Sequence, residues 1–139
     1  MNPISAVLPR AAMILVSGIL AVGLAACAPS GDASPGGGET LTVSGGAVEI
    51  SADDLAFNAS TIEAPAGEAF TVTLVNNESV PHNFSVFVEE GGERIVQGDT
   101  ITGPDQSVTI EVPALEAGEY FFVCDIHPAD MQGTIVVSG

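Results

Sequence analysis

The chain has 139 residues, room for one domain and little besides, and its two Lys and Arg stand against eighteen Asp and Glu. With Arg94 the only such cation beyond Arg10, no basic patch for nucleic acid can form. A formal charge of −16 fits either a well-solvated surface, including adaptation to a salty medium, or an acidic face that steers a basic partner.

Residues 1–26 read as an export signal and not as part of a fold. Arg10 gives a thin positive start, and Ala11 to Ala26 is apolar through Ile14, Leu15, Val16, Ile19, Leu20 and Val22. That run is short for a full membrane span. Leu24-Ala25-Ala26-Cys27 resembles a bacterial lipoprotein lipobox. The resemblance implies cleavage before Cys27, diacylglycerol on its sulfur, and a tether at the extracytoplasmic face of the cell membrane, periplasmic or cell-surface. Several acyl chains anchor stably where one holds weakly. No twin-Arg pair is present, so the chain is expected to be exported unfolded and to acquire any metal outside the cytoplasm.

The chain holds two Cys, and with Cys27 lipidated, Cys124 stands alone. A lone thiol in an exported protein is a liability unless something occupies it, and a metal would do so. Residues 27–40 then form a lipidated Cys and a flexible linker. Pro29 to Thr40 is small and polar, with nothing able to pack. Its triple Gly is no phosphate loop, because no strand precedes it and no Lys lies near.

Across residues 41–139 the apolar period is two. Val48 and Ile50 alternate with polar neighbours, Leu55 and Phe57 follow, and Ile62 leads to a turn at Pro65-Ala66-Gly67. Phe70, Val72 and Leu74 alternate with Thr71 and Thr73 until Asn76-Asn77. Phe84, Val86 and Val88 share one parity up to Gly91-Gly92, and a short Ile95-Val96 run precedes Gly103-Pro104-Asp105. Val108, Ile110 and Val112 alternate up to Pro113, a turn falls at Glu116–Glu119, and Tyr120–Cys124 and Gly133–Val137 complete the set. No stretch has a helical period. The pattern predicts an all-β, Greek-key β-sandwich of about seven or eight strands. Packing alone must hold it, since no internal disulfide can form.

The chemistry gathers at one place. Cys124, His127 and Met131 lie within eight residues, and beyond the lipobox the only other imidazole is His82. Thiolate, imidazole and thioether are the donors a soft transition metal prefers, copper above all. His82 shares parity with Phe84 and Val86, and Cys124 with Tyr120 and Phe122, so both are expected to point inward at the ends of different strands. His127 and Met131 follow in the loop leaving the Cys strand, and Pro128 stiffens that loop. Tyr120, Phe121 and Phe122 read as core packing, and Asp125 and Asp130 as solvated carboxylates, not ligands.

Val80-Pro81-His82-Asn83-Phe84, with Tyr120-Phe121-Phe122-Val123-Cys124 and the following Asp125-Ile126-His127-Pro128-Ala129-Asp130-Met131, resembles the cupredoxins of the plastocyanin, amicyanin and pseudoazurin type. The resemblance covers about residues 41–139. It implies one mononuclear type 1 copper per chain held by His82, Cys124 and His127, with Met131 as a long axial ligand. It also implies that Asn83 hydrogen-bonds across to the Cys loop and braces it. Asp125 stands beside the sulfur where many relatives carry Thr or Ser. An ionised carboxylate there favours Cu(II) over Cu(I).

The function expected is single-electron transfer by a tethered blue copper protein, acting as a monomer. Its partner would be another redox protein, such as a cytochrome or a terminal oxidase or reductase, and a basic one if the acidic surface steers it. The family's electron path leaves through the edge of His127, where Val80, Pro81, Ile126, Pro128 and Ala129 supply an apolar patch. Copper delivery, storage or resistance without electron transfer is the alternative, distinguished by release of the metal to an acceptor. An enzyme is not expected: copper enzymes of this fold need further His, and the chain has two in all. Cys124 and His127 three residues apart on a strand exit resemble no protease arrangement either.

Overall fold

The computed structural model describes residues 38–139. The expected signal segment, Cys27 and nearly all of the linker lie outside the described residues. Ten strands form: β1 (Glu39–Thr42), β2 (Ala47–Asp53), β3 (Ala56–Phe57), β4 (Ala59–Pro65), β5 (Phe70–Asn76), β6 (Ser85–Phe87), β7 (Arg94–Gln97), β8 (Gln106–Val112), β9 (Gly118–Val123) and β10 (Gln132–Ser138). One sheet runs β1-β4-β10-β9-β6-β7 and the other β3-β2-β5-β8. The two sheets make the expected all-β sandwich. Ten strands exceed the expected seven or eight; among the short ones are β1, which starts two residues before the expected domain boundary, and the two-residue β3.

Period-two patterning builds the inner faces. On β5, Phe70, Val72, Leu74 and Asn76 are buried while the residues between them are half-exposed. Val48, Ile50 and Ala52 of β2 and Ile110 and Val112 of β8 are buried in the same way, from the neighbouring strands of that sheet. The six-stranded sheet adds Ile62, Val86, Phe122, Ile135 and Val137. Burying each large aliphatic or aromatic side chain contributes about 1.5–3 kcal/mol. Three rings join the layers. Phe57 of β3 lies 5.9 Å from Phe84 and 5.8 Å from Phe122, and Phe84 stacks on Phe122 at 5.2 Å.

The alternation fails in two places, each with a local cause. Asp54 and Leu55 form the two-residue turn of the β2–β3 hairpin, with φ of 50° and 58°. Two positive φ values are what such a tight hairpin needs, so Leu55 projects outward while Phe57 goes in. At the end of β6 the register against β7 shifts between Val86 and Phe87. Val88 therefore ends up exposed although it shares sequence parity with buried Phe84 and Val86.

The register also fixes which strand ends meet. Val123, last in β9, faces both Gln132 at the start of β10 and Ser85 at the start of β6. β4 runs parallel to β10, and β1 parallel to β4, with Glu39 opposite Ala59. The starts of β1, β4, β6 and β10 and the end of β9 thus lie at one end of the sandwich.

Gly133 in β10 lies where the sheet leaves no room for a side chain. A Cβ there would collide with the Phe122 ring and with the Ser60 carbonyl oxygen, the latter being backbone that cannot rotate away. Gly133→Ala should destabilise the domain by roughly 1–3 kcal/mol through overpacking. Denaturant unfolding measures this, and an unchanged midpoint would show that β10 shifts freely.

Candidate metal centre

The antiparallel pairing of β6 with β9 sets up the site. His82 lies just before β6 and Cys124 just after β9, so both emerge at the same end. Each is fully buried. His82 is fixed by two backbone bonds with Ile101, N–H to O=C at 3.0 Å and its reciprocal at 2.9 Å. Beyond Cys124 the chain winds into a compact loop. The His127 N–H donates to the Cys124 carbonyl at 3.1 Å, and the Asp130 and Met131 N–H groups donate to the His127 carbonyl at 3.2 and 3.0 Å. The Cys124 N–H closes the loop on the Met131 carbonyl at 2.9 Å.

These constraints bring the expected side chains together. Nδ1 of His82 lies 3.9 Å from the Cys124 Sγ, and Nδ1 of His127 lies 3.8 Å from it. One ligand atom from each of the three residues falls within 4.8 Å of the others. The imidazole centroids are 5.1 Å apart and tilted by 57°. Metal–sulfur and metal–nitrogen bonds of about 2.3 and about 2.0 Å together exceed either sulfur–nitrogen separation, so one ion can reach all three donors. Met131 is fully buried at the close of the same loop. Cys124 is free and buried, so its sulfur is not engaged in a disulfide.

Glu78 belongs to the site, and the sequence reading passed over it. Its Oε1 lies 2.8 Å from the His82 Nε2 and accepts the Leu55 backbone N–H at 2.9 Å. A carboxylate on Nε2 leaves Nδ1 with its lone pair toward Cys124, the arrangement that orients a metal-binding imidazole. The Leu55 N–H, followed by His82 and then His127, holds the Glu78 carboxyl below the usual carboxylate range against the opposing pull of desolvation. Asn76 shapes the turn between them: its Oδ1 accepts the Glu78 N–H at 2.9 Å, and its Nδ2 donates to the Val80 carbonyl at 2.8 Å. The signal for Glu78 in the sequence is a carboxylate four residues before His82, hidden in a chain rich in acids.

The brace expected of Asn83 is present, with Asp125 as its partner. The Asp125 N–H donates to Asn83 Oδ1 at 2.8 Å, and Asn83 Nδ2 donates back to Asp125 Oδ2 at 2.8 Å. The Ser85 hydroxyl donates to the same carboxylate oxygen at 2.5 Å. Oδ1 of Asp125 pairs with Arg94 at 3.0 Å. Neither Ser85 nor Arg94 was singled out from the sequence as part of this region. Asp130 is exposed, as expected, whereas Asp125 is not a solvated carboxylate: it is half-buried, and Asn83, Ser85 and Arg94 engage both of its oxygens.

Around the half-buried His127 the surface is apolar. Ile126 is 41% exposed, Pro128 and Ala129 are exposed, and Val80 and Pro81 are half-buried. A two-sheet sandwich with a buried thiol–imidazole cluster at one end defines a small β-sheet metalloprotein. Comparison with known proteins narrows this class. A family model of the cupredoxin-like domain matches residues 18–137, and the chain belongs to that family.

Over 102 residues it is 37% identical to the chloroplastic plastocyanin of Physcomitrium patens, covering 66% of this chain but 56% of that protein, little more than half of its length. It is 36% identical over 99 residues to the plastocyanin of Scenedesmus fuscus, covering 65% of this chain and 96% of that one. The solved Cu(I) form of a methionine-to-alanine variant of amicyanin superposes with a TM-score of 0.51 at 29% identity, covering 69% of this chain and 86% of that one.

Proposed function

We propose that the chain is a single-electron carrier in which His82, Cys124 and His127 would hold one copper ion, with Met131 as a further, weaker donor. The observation that carries this reading is the buried convergence of one thiol and two imidazoles from two separate segments. Membership in a family with plastocyanin relatives supports it, as does the Cu(I) form of the amicyanin variant. Copper held there would pass between Cu(II) and Cu(I), storing and releasing one electron.

The protein's own part is to keep the donors still. Glu78 orients His82, the Asn83–Asp125 bonds fix the chain beside Cys124, and three turn bonds hold His127. Donors that move little between oxidation states suit rapid electron exchange. Burial of Cys124 keeps water from the sulfur, while the half-buried ring of His127 amid Ile126, Pro128 and Ala129 offers a short, apolar exit. With two His in the chain there are no imidazoles for a second copper site of the kind copper oxidases use, and the role is that of a carrier and not an enzyme.

Adding Cu(II) to the protein should produce an intense blue charge-transfer absorption that dithionite bleaches and an oxidant restores. Cys124→Ala should abolish the colour, and Met131→Gln should retain it while altering the midpoint potential. A colourless copper complex of the unsubstituted protein would overturn the proposal.

The charge of −16 supports a cationic redox partner such as a cytochrome or terminal oxidase. Electron exchange should be faster with basic than with acidic cytochromes, and that difference should fade as salt shortens the screening length. Rates indifferent to salt in stopped-flow measurements would remove charge steering from the account.

The Leu24–Cys27 motif supports a lipid tether on the outer side of the cell membrane. Cys27→Ala should move the protein from the membrane to the soluble fraction on cell fractionation. Retention in the membrane would exclude Cys27 as the anchor.

A further inference from the structure

We propose that Arg94 balances the charge of Asp125 beside the sulfur donor and so sets how strongly the site favours the oxidised metal. This rests on the copper reading above and assigns a positioning role to a residue that touches no donor atom.

Arg94 is the only Lys or Arg in residues 38–139, and every one of the eighteen carboxylates except Asp32 lies in the same span. Among so many possible partners, its guanidinium meets the carboxylate adjacent in sequence to Cys124, 3.0 Å from Asp125 Oδ1. The contact crosses the sheet: Arg94 is on β7, Asp125 follows β9, and β6 lies between them. Two further contacts hold the guanidinium in place. Its Nη1 donates to Gln97 Oε1 at 2.7 Å, and its Cζ sits 4.9 Å from the centre of the Phe87 ring. The β6–β7 register supplies that ring by placing Phe87 opposite Arg94.

Asp125 is equally fixed. Its other oxygen accepts from Asn83 and Ser85, and its N–H is bonded to Asn83. The carboxylate charge therefore cannot swing away from the segment that carries the sulfur. An unbalanced negative charge at such a position favours Cu(II) over Cu(I). Arg94 supplies the opposite sign on the outer side of the same group. An ion pair whose arginine is 43% exposed adds little to fold stability. The effect to measure is therefore on the neighbouring site.

Four variants of the copper-loaded full-length protein test this: Arg94→Gln, Arg94→Lys, Asp125→Asn and the double variant Arg94→Gln/Asp125→Asn. Their midpoint potentials would be read by redox titration of the blue absorption. Arg94→Gln should lower the midpoint, raising the Cu(II) to Cu(I) ratio at a fixed ambient potential by roughly tenfold, the scale of one unpaired charge near a partly buried site. Asp125→Asn should raise the midpoint, because an amide still accepts from Asn83 and Ser85 but carries no charge. The double variant should return close to the starting value, and Arg94→Lys should stay near it.

An unchanged midpoint in Arg94→Gln would overturn the inference. So would shifts of the same sign in Arg94→Gln and Asp125→Asn, the mark of loosened packing in place of charge balance. If the unsubstituted protein forms no blue complex, the electron-carrier reading fails first and this inference falls with it. If all forms are blue with one common midpoint, this inference alone fails.

Discussion

The site depends on how two chain segments 42 residues apart are held after their strands have ended. The β6–β9 pairing brings them side by side, but its last registered pair is Ser85 with Val123, short of both His82 and Cys124. The reciprocal bonds between Asn83 and Asp125 carry the alignment past the ladder, replacing backbone pairing with a side chain on one strand and backbone plus carboxylate on the other. A buried polar group is tolerated only when its bonds are made. Among the described residues no buried side-chain nitrogen or oxygen lacks a partner. The clamp is thus both the means of alignment and the reason that Asn83, only 1% exposed, can sit in the interior at all.

Glu78 applies the same economy at the His82 ring. One carboxylate oxygen receives the Leu55 N–H and faces the His82 ring, so the tight β2–β3 turn of the four-stranded sheet bears on an imidazole that lies ahead of the six-stranded one. Leu55 is an unusual residue for a left-handed backbone, which for an L-residue costs roughly 1–2 kcal/mol. Its N–H is the largest single cause of the lowered Glu78 pKa. The turn is therefore tied to the orientation of His82 and not merely to the reversal of the chain.

Much of this was legible in the residues themselves. Alternation along β2, β5 and β8 gave the inner faces, because a strand with one buried side has a strict period of two. The same parity aimed His82 and Cys124 inward, and both are fully buried. Parity failed where the backbone departs from a regular strand. The register shift after Val86 turns Val88 outward, and the paired positive φ values at Asp54 and Leu55 do the same for Leu55. The partners of the cluster were less legible for a different reason. Ser85 and Arg94 reach it through contacts that depend on how neighbouring strands pack, which no spacing in the sequence encodes, and the four-residue spacing from Glu78 to His82 is lost among many other carboxylates. Asp125 was visible as a departure from the usual hydroxyl residue, whereas its accommodation by both Ser85 and Arg94 is a tertiary property.

The shared strand ends have a consequence for where the chain enters the domain. β1 begins at Glu39 on the same end of the sandwich as Cys124 and His127, since β1, β4 and β10 run in parallel and β10 starts beside the last residue of β9. The upstream polypeptide therefore joins the domain at the rim that bears the metal-binding residues, not at the far rim near Gly67 and Leu115.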